Sequence, residues 1–474
     1  MVCRPCMRLA GKLGPLSSIT PAVNLQPLPG RGRTSDPLAI SARAMLQRPR
    51  DTEVNGHRCP AKNLTAVQKG ASCMEFVSEL QGAFTFLPQE RVIFGKGSVS
   101  QLAAEIDRLG CQRAFVITGT TIATKTDLLS RVQEVLGPRL AGVFYPIAQH
   151  TPRPDVVAAA ARARSVHADV LVSLGGGSPV DGTKGVALCL AEDIMTDAQL
   201  DPYRVRGPRG LRFTPSYKGK PVPHIAVTTT LSAGEFTSGV GITDPVRGVK
   251  ESFGAPQVTP RAVILDPEMT VDTPAWLWAS TGMRAVDHAV ERLYSPKHNP
   301  LSDTLCQQAL RYLFGHLPRG THDPQDLDAR LHCQLGAWMS IIGFATVRTG
   351  ISHAIGHQLG GHCHVPHGQT SCIMLPHAME FNLPVAADRL ALVAEAAGLE
   401  SRTVTTEQAA RAGIDAVRRF IGELGCPMRL RDVGVHERDF PGLAETVLEE
   451  VPTMENPRPI SGVADIIELL ERAW

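Results

Sequence analysis

The stretch Ala168-Asp-Val-Leu-Val-Ser-Leu-Gly-Gly-Gly-Ser178 decides the fold class that we predict for this chain. An apolar, β-branched run typical of a buried strand leads into three glycines, and Pro179-Val-Asp-Gly-Thr-Lys184 then begins a pattern typical of a helix. Glycines at a strand-to-helix turn let backbone N–H groups approach a pyrophosphate, and the helix N-terminus adds a favourable dipole. We predict a phosphate-binding turn, although the sequence lacks the G-x-G-x-x-G fingerprint and glycine-rich turns also arise for structural reasons alone.

Short strand patterns followed by helical patterns recur through the first half of the chain. Further strands are predicted at Ala114–Gly119, His224–Thr230 and Ala262–Asp266. Strands that alternate with helices form a parallel sheet with helices on both faces. After Thr273-Pro274, where we predict an N-cap and a proline at the first helical position, helical periodicity dominates to the end.

These patterns predict three segments. We expect a disordered extension over residues 1–73, an α/β dinucleotide-binding domain with a parallel sheet over 74–270, and an all-α catalytic domain over 271–474. The active site is expected in the cleft between the two domains.

Composition limits the partners of the protein. The chain has 48 Lys and Arg against 46 Asp and Glu, and its net charge of +2 is too small to indicate a basic surface that binds nucleic acid. No run approaches the roughly 18 to 20 apolar residues of a membrane span. Its 11 cysteines are scattered, which favours a reducing compartment. We expect a cytoplasmic protein that binds a small molecule, with a mitochondrial address as the alternative because the N-terminus is rich in arginine and poor in acids.

Two further groups of side chains carry possible chemistry. Thr228-Thr-Thr-Leu-Ser-Ala-Gly-Glu235 follows a strand, at the edge where α/β sheets bind ligands, although a threonine run also reflects strand propensity alone. His353 and His357 share one helix face, with His367 ten residues later and His288 on an earlier helix. Four imidazoles at one cleft are costly to desolvate, so metal ligation or proton relay would explain them better than packing.

These motifs, in this order and spacing, resemble the iron-type alcohol dehydrogenases over roughly residues 80 to 474. The resemblance implies a dehydroquinate-synthase-like architecture, an NAD(P) cofactor and a homodimer. The residues that it and the motifs assign to cofactor binding are Gly175, Gly176, Gly177, Ser178, Asp181, Thr228, Thr229, Ser232 and Lys250. A lone lysine in a turn-rich segment such as Lys250 is otherwise expected to be solvated.

The resemblance also implies a metal held by His288, His353 and His367 together with an aspartate four residues before His288. Here that position is Arg284, whose cation would repel a divalent ion. Asp287 lies on another side of the helix and is a poor substitute. Maleylacetate reductases, which this chain resembles, also lack the aspartate. Bound Fe²⁺ or Zn²⁺ is therefore an open question, and so is a role for Arg284 as a solvated residue or as a partner of Glu291.

The leading hypothesis is a metal-independent, NAD(P)H-dependent reductase of a small oxo-acid such as maleylacetate. Its catalytic residues would be His357 as proton donor, Arg284 as anion clamp, and His288 and His353, which together with His367 would shape a polar pocket. His362 and His364 are expected at the surface. The sequence has Gly119 where NAD-specific relatives place an aspartate, so NADPH is expected to be accepted along with NADH.

Three rival hypotheses remain. The first is an iron- or zinc-dependent alcohol dehydrogenase that interconverts alcohols and aldehydes. The second is a lyase of the dehydroquinate-synthase kind, which would need lysines near the histidines. The third is a non-catalytic nucleotide-binding relative, which would have no reason to keep four histidines.

Overall fold

A six-stranded parallel sheet forms the first part of the chain, in the strand order β1-β8-β5-β4-β2-β3. A computed structural model describes residues 82–206, 213–399, 403–449 and 455–474. The extension predicted over residues 1–73 lies outside them. The strands are β1 Arg91–Phe94, β2 Ala114–Thr118, β3 Leu140–Phe144, β4 Val170–Gly175, β5 His224–Thr228, β6 Gly239–Asp244, β7 Val249–Gly254 and β8 Ala262–Leu265.

Helices cover both faces of the sheet, as the alternating pattern predicts. One face of the sheet packs Val116 and Val172 against α1 and α3, whereas the other packs Phe115 and Leu171 against α4 and α5. Every residue of the central strands β2, β4 and β5 is buried, which explains their continuous apolar sequence. The helices of this part are α1 Leu102–Arg108, α2 Thr120–Lys125, α3 Leu128–Leu136, α4 Arg153–Ser165 and α5 Gly177–Ala191.

An antiparallel hairpin, β6–β7, interrupts the α/β pattern and was not predicted. The ammonium of the fully buried Lys184 donates to the carbonyl of Gly234, in the turn before the hairpin, at 2.7 Å and to that of Gly239, at the start of β6, at 2.8 Å. Burial lowers the pKa of Lys184 to about 8. These bonds place β7, and with it Lys250, next to the first turns of α5.

The second part is helical, and no strand follows β8 in the ranges that the structure describes. Apolar residues of α6 such as Met283, Val286 and Val290 pack with α7 and α10 in its largest cluster. None of the described helices is long and apolar enough to cross a membrane. The helices are α6 Ala275–Leu293, α7 Pro300–His322, α8 Leu327–Ile341, α9 Ile351–His362, α10 His367–Ala396, α11 Thr406–Glu423, α12 Phe440–Val447 and α13 Val463–Ala473.

The predicted start of α6 was wrong by one residue. Pro274 is the N-cap, with an extended ψ of 141°, rather than the first helical residue. The hydroxyl of Thr273 does not cap the helix, because it donates to the carbonyl of Thr229 at 2.7 Å. The fold class is confirmed, whereas a domain boundary near residue 270, between β8 and α6, stays a prediction.

Candidate active site

The glycine turn lies between β4 and α5, as predicted, and its geometry explains the glycines. Gly175 has a φ of +143°, which disfavours other residues, and a Cβ there would lie 2.8 Å from the Pro179 ring. A Cβ on Gly176 would lie 2.7 Å from Thr230 Oγ1. No side chain caps the start of α5, and residues 176–178 are partly exposed. The backbone N–H groups of this turn are therefore available to an anion.

The threonine segment lies directly beside this turn. Thr228 pairs with Gly175 across β4 and β5, and the N–H of Thr229 donates to the Gly175 carbonyl at 3.1 Å. Three buried hydroxyls, those of Thr228, Thr230 and Ser232, have no hydrogen-bond partner among the described residues. Buried polar groups are rarely left unpaired, so these hydroxyls fit a bound dinucleotide that would pair with them.

Lys250 is not a solvated residue, because it extends across the hairpin to the histidines. A Cβ on Gly241 would lie 2.3 Å from Lys250 Cε, and the Lys250 Nζ lies 3.4 Å from His367 Nε2. Asp181 lies close by, and its carboxylate accepts from the Gly241 N–H at 3.1 Å. Burial lowers the pKa of Lys250, the charge of Asp181 opposes this shift, and that of Arg284 adds to it.

The four histidines of the sequence motifs come together around α9 and the start of α10. The ring centroids of His288 and His353 are 4.8 Å apart and stacked, those of His353 and His357 are 6.4 Å apart, and those of His357 and His367 are 5.7 Å apart. Burial holds the pKa values of His288 and His367 well below the ordinary range, and neighbouring cations lower them further. His362 and His364 are exposed, as expected.

Glu291 anchors the first turn of α9 and orients His353. Its carboxylate, wholly buried, accepts from the backbone N–H of Gly350 and of Ser352 at 2.8 Å each and from His353 Nδ1 at 2.7 Å. Asp287 lies 3.3 Å from the same Nδ1. Burial alone would lower the pKa of His353, but the two carboxylates outweigh it and raise that pKa. His353 Nε2 is buried and has no hydrogen-bond partner among the described residues.

Arg284 is partly buried on α6 and is not a solvated residue. Its terminal nitrogen donates to Ser371 Oγ at 3.3 Å, on the first turns of α10. Burial lowers its pKa, and the more distant carboxylates of Asp287, Glu291 and Asp181 partly compensate. The guanidinium stays charged and brings five N–H donors to the site. It is also close enough to His367 to lower the pKa of that imidazole.

The metal-ligand set that the resemblance implies stays a prediction, because its three histidines are not drawn together around one point in this arrangement. Among the described residues, the groups of three or more donors within 4.8 Å of one another are Asp287, Glu291 and His353, and His316, Asp328 and His332. His288, His353 and His367 do not form such a group. In the first of the two groups both oxygens of Glu291 accept hydrogen bonds and Asp287 Oδ2 accepts from Ser352 Oγ, whereas Asp287 Oδ1 is buried with no partner among the described residues. Arg284 and Lys250 place two cations where an ion would need anionic ligands.

Sequence reasoning missed His150 altogether, and it named Glu291 as a partner of Arg284 rather than of His353. Glu291 lies three positions after His288 on α6, and the signal available was a carboxylate among the buried apolar positions of that helix. His150 lies in the loop after β3, with its ring centroid 6.3 Å from that of His367. Burial, Lys250 and His364 lower the pKa of His150. Nothing in the local sequence pattern pointed to His150.

Comparison with known proteins agrees with this arrangement. Residues 88–267 match the family model of the iron-containing alcohol dehydrogenases, and residues 278–474 match the model of the C-terminal part of the same family. A maleylacetate reductase from Cupriavidus pinatubonensis is 32% identical over 381 residues, which cover 80% of this chain and 93% of that protein. The chain belongs to the iron-containing alcohol dehydrogenase family. It is therefore an oxidoreductase with the dehydroquinate-synthase-like fold.

Family members that are named for the oxidation or reduction of alcohols are similar to the chain to about the same degree as the maleylacetate reductase. The NAD-dependent methanol dehydrogenase of Bacillus methanolicus is 31% identical, over 82% of this chain and 99% of that protein. The crystal structure of a 1,3-propanediol oxidoreductase superposes with a TM-score of 0.76 at 28% identity, covering 83% of this chain and all of that one. Similarity at this level does not choose between an oxo-acid and an alcohol or aldehyde as substrate.

Proposed function

We propose that the protein is an NAD(P)H-dependent reductase of a small oxo-acid of the maleylacetate kind, and that it works without a bound metal. The observation that carries the proposal is Arg284, a partly buried cation on α6 beside the histidines, at the position where the family resemblance implies a metal-binding aspartate. Together with Lys250 it makes the pocket cationic. A cationic pocket favours an anionic substrate over a neutral alcohol or aldehyde.

In the proposed reaction each group of site residues has a separate role. NAD(P)H supplies the hydride that reduces the substrate carbonyl or activated double bond. The glycine turn would hold the pyrophosphate, and the unpaired hydroxyls of Thr228 and Ser232 would hold the ribose or carboxamide end. Arg284 would bind the substrate carboxylate or the developing oxyanion bidentately. His357 would donate the proton, while His288 and His353 line the pocket.

A metal-dependent alcohol dehydrogenase is the second candidate function. Buried ring nitrogens of His288, His353 and His367 have no hydrogen-bond partner among the described residues, and a metal that drew these rings together would satisfy some of them. The names of relatives such as the methanol dehydrogenase also favour it.

One set of assays separates the two functions. The purified protein is analysed for metal, and nicotinamide absorbance is followed with NADH or NADPH and with maleylacetate or a short aldehyde, each with and without chelator. We expect turnover of the oxo-acid that does not respond to the chelator. Activity confined to the aldehyde, lost on chelation and restored by Fe²⁺ or Zn²⁺, would contradict the proposal.

Gly119 offers a test of cofactor selection. It is the N-cap of α2, with φ of −93°, and a Cβ there would lie 3.6 Å from the Ile147 carbonyl, an ordinary contact. Aspartate fits this position, would bond a ribose 2′-hydroxyl and would repel a 2′-phosphate. We expect G119D to raise KM for NADPH at least about tenfold, with KM for NADH unchanged or lower. The matched control G119A has the same Cβ without the charge and should leave both constants near wild type.

The proposal includes a homodimer in the cytoplasm. The cysteines within the described residues are all unpaired, which suits a reducing compartment. The homodimer is supported by the family resemblance, and sedimentation of the purified chain would measure it.

A further inference from the structure

The loop that follows β3 has two consecutive residues in the left-handed region. His150 has a φ of 65° and Thr151 a φ of 56°. Residues other than glycine lose about 1 to 3 kcal/mol in such conformations, and these persist where the surroundings enforce them, often at functional sites. The enforced residue here carries an imidazole.

Hydrogen bonds connect the backbone of this loop to Ser178, in the glycine turn, and to Thr243, on β6. The His150 N–H donates to Ser178 Oγ at 3.2 Å, and its carbonyl accepts from Thr243 Oγ1 at 2.7 Å. The Thr151 hydroxyl donates to the Ser178 carbonyl at 3.2 Å, and the Thr151 carbonyl accepts from the Thr243 N–H at 3.0 Å. The loop is therefore fastened to the glycine turn and to β6, and its conformation is set before any ligand binds.

The His150 ring points at the site rather than into solvent. It is partly buried, and it meets the ring of His367 edge-on, at an interplanar angle of 85°. The ammonium of Lys250 also approaches the His367 ring, with Nζ 3.4 Å from His367 Nε2. An N–H donor and an ammonium thus face the pocket from the α/β part of the chain, whereas Arg284 faces it from α6.

We propose that His150 is a specificity-determining residue that donates a hydrogen bond to a second carboxylate of the substrate. The inference rests on the proposed function, since it assumes that Arg284 binds a first anionic group. Lys250 supplies the charge beside the second carboxylate and His150 supplies its directed bond. The site would accordingly select oxo-acids with two carboxylates over those with one.

Replacement of His150 by glycine distinguishes a binding role of the imidazole from a purely structural role of the residue. Glycine adopts the left-handed conformation without the steric cost, so H150G should fold at least as stably as the wild type while it loses the imidazole. The chain offers a matched control, because His167 is also left-handed, with φ of 50°, and is exposed at the end of α4. A rescue variant is H150N, since asparagine tolerates this conformation and keeps an N–H donor.

The test is calorimetric titration of the full chain with succinate, an unreactive dicarboxylate, and with acetate as the single-carboxylate control. We expect wild type to bind succinate more tightly than acetate, and H150G to weaken succinate binding by about tenfold to a hundredfold with no fall in Tm. Acetate binding should not change. H167G should leave succinate binding unchanged, and H150N should restore part of it.

Three results would overturn the inference. In the first, wild type binds succinate no more tightly than acetate. In the second, H150G binds succinate as tightly as wild type does. In the third, H150G loses affinity for NADPH, measured by fluorescence titration, and keeps its affinity for succinate. Because succinate is not turned over, these results are independent of the assays with maleylacetate and aldehyde. Failure of the proposed function is seen in those assays alone.

Discussion

Replacement of Arg284 by alanine is expected to lower kcat/KM for the oxo-acid by about 10²- to 10³-fold. In the proposed function the Arg284 guanidinium is a charged donor to the substrate carboxylate or the developing oxyanion, and loss of one such donor has this size of effect. Among the described residues, the polar contact of the Arg284 side chain is a long 3.3 Å bond to Ser371 Oγ, so its truncation should leave the fold intact. Steady-state kinetics with maleylacetate, together with Tm, measures both.

Two companion variants sharpen this result. R284K keeps the charge but loses the planar fork of donors, so we expect it to recover only part of the loss. Arg311 is exposed on α7, and R311A serves as a control for removal of one positive charge. If R284A had the same kcat/KM as wild type and R311A, Arg284 would not bind the anion. The main support for the oxo-acid reductase would then be lost.

Replacement of His357 by alanine is expected to lower kcat by about 10²- to 10⁴-fold, the range for a lost general acid. His357 lies one helical turn after His353 on α9, with its ring centroid 5.7 Å from that of His367. Binding of NADPH should be unaffected, since the glycine turn lies on α5. Stopped-flow measurement of hydride transfer and a fluorescence titration with NADPH separate the two effects.

The matched control is His362 on the same helix, which is exposed, with Nδ1 3.2 Å from the Gln358 carbonyl. H362A should retain wild-type kcat. If H357A also retained wild-type kcat, the proton would have to come from another group, and His357 would be a wall of the pocket rather than a catalytic residue.

Local patterns in the sequence determined the fold class of this protein. The predicted strands agree with β2, β4, β5 and β8 to within one or two residues at their ends, because apolar runs and glycine turns act over a few neighbouring residues. The spacing of His353 and His357 placed both on one face of α9. The resemblance identified Arg284 as the departure from the family pattern.

The tertiary structure alone decided how the site is held together. Glu291 lies 62 residues from His353 in the chain and bonds its Nδ1, so a residue of α6 sets the orientation of an imidazole on α9. Lys250 reaches His367 across 117 residues. His150 joins the same cluster through a left-handed loop that the sequence shows only as a stretch before proline. Such contacts depend on how distant elements pack, and no local spacing encodes which of many buried polar side chains will meet.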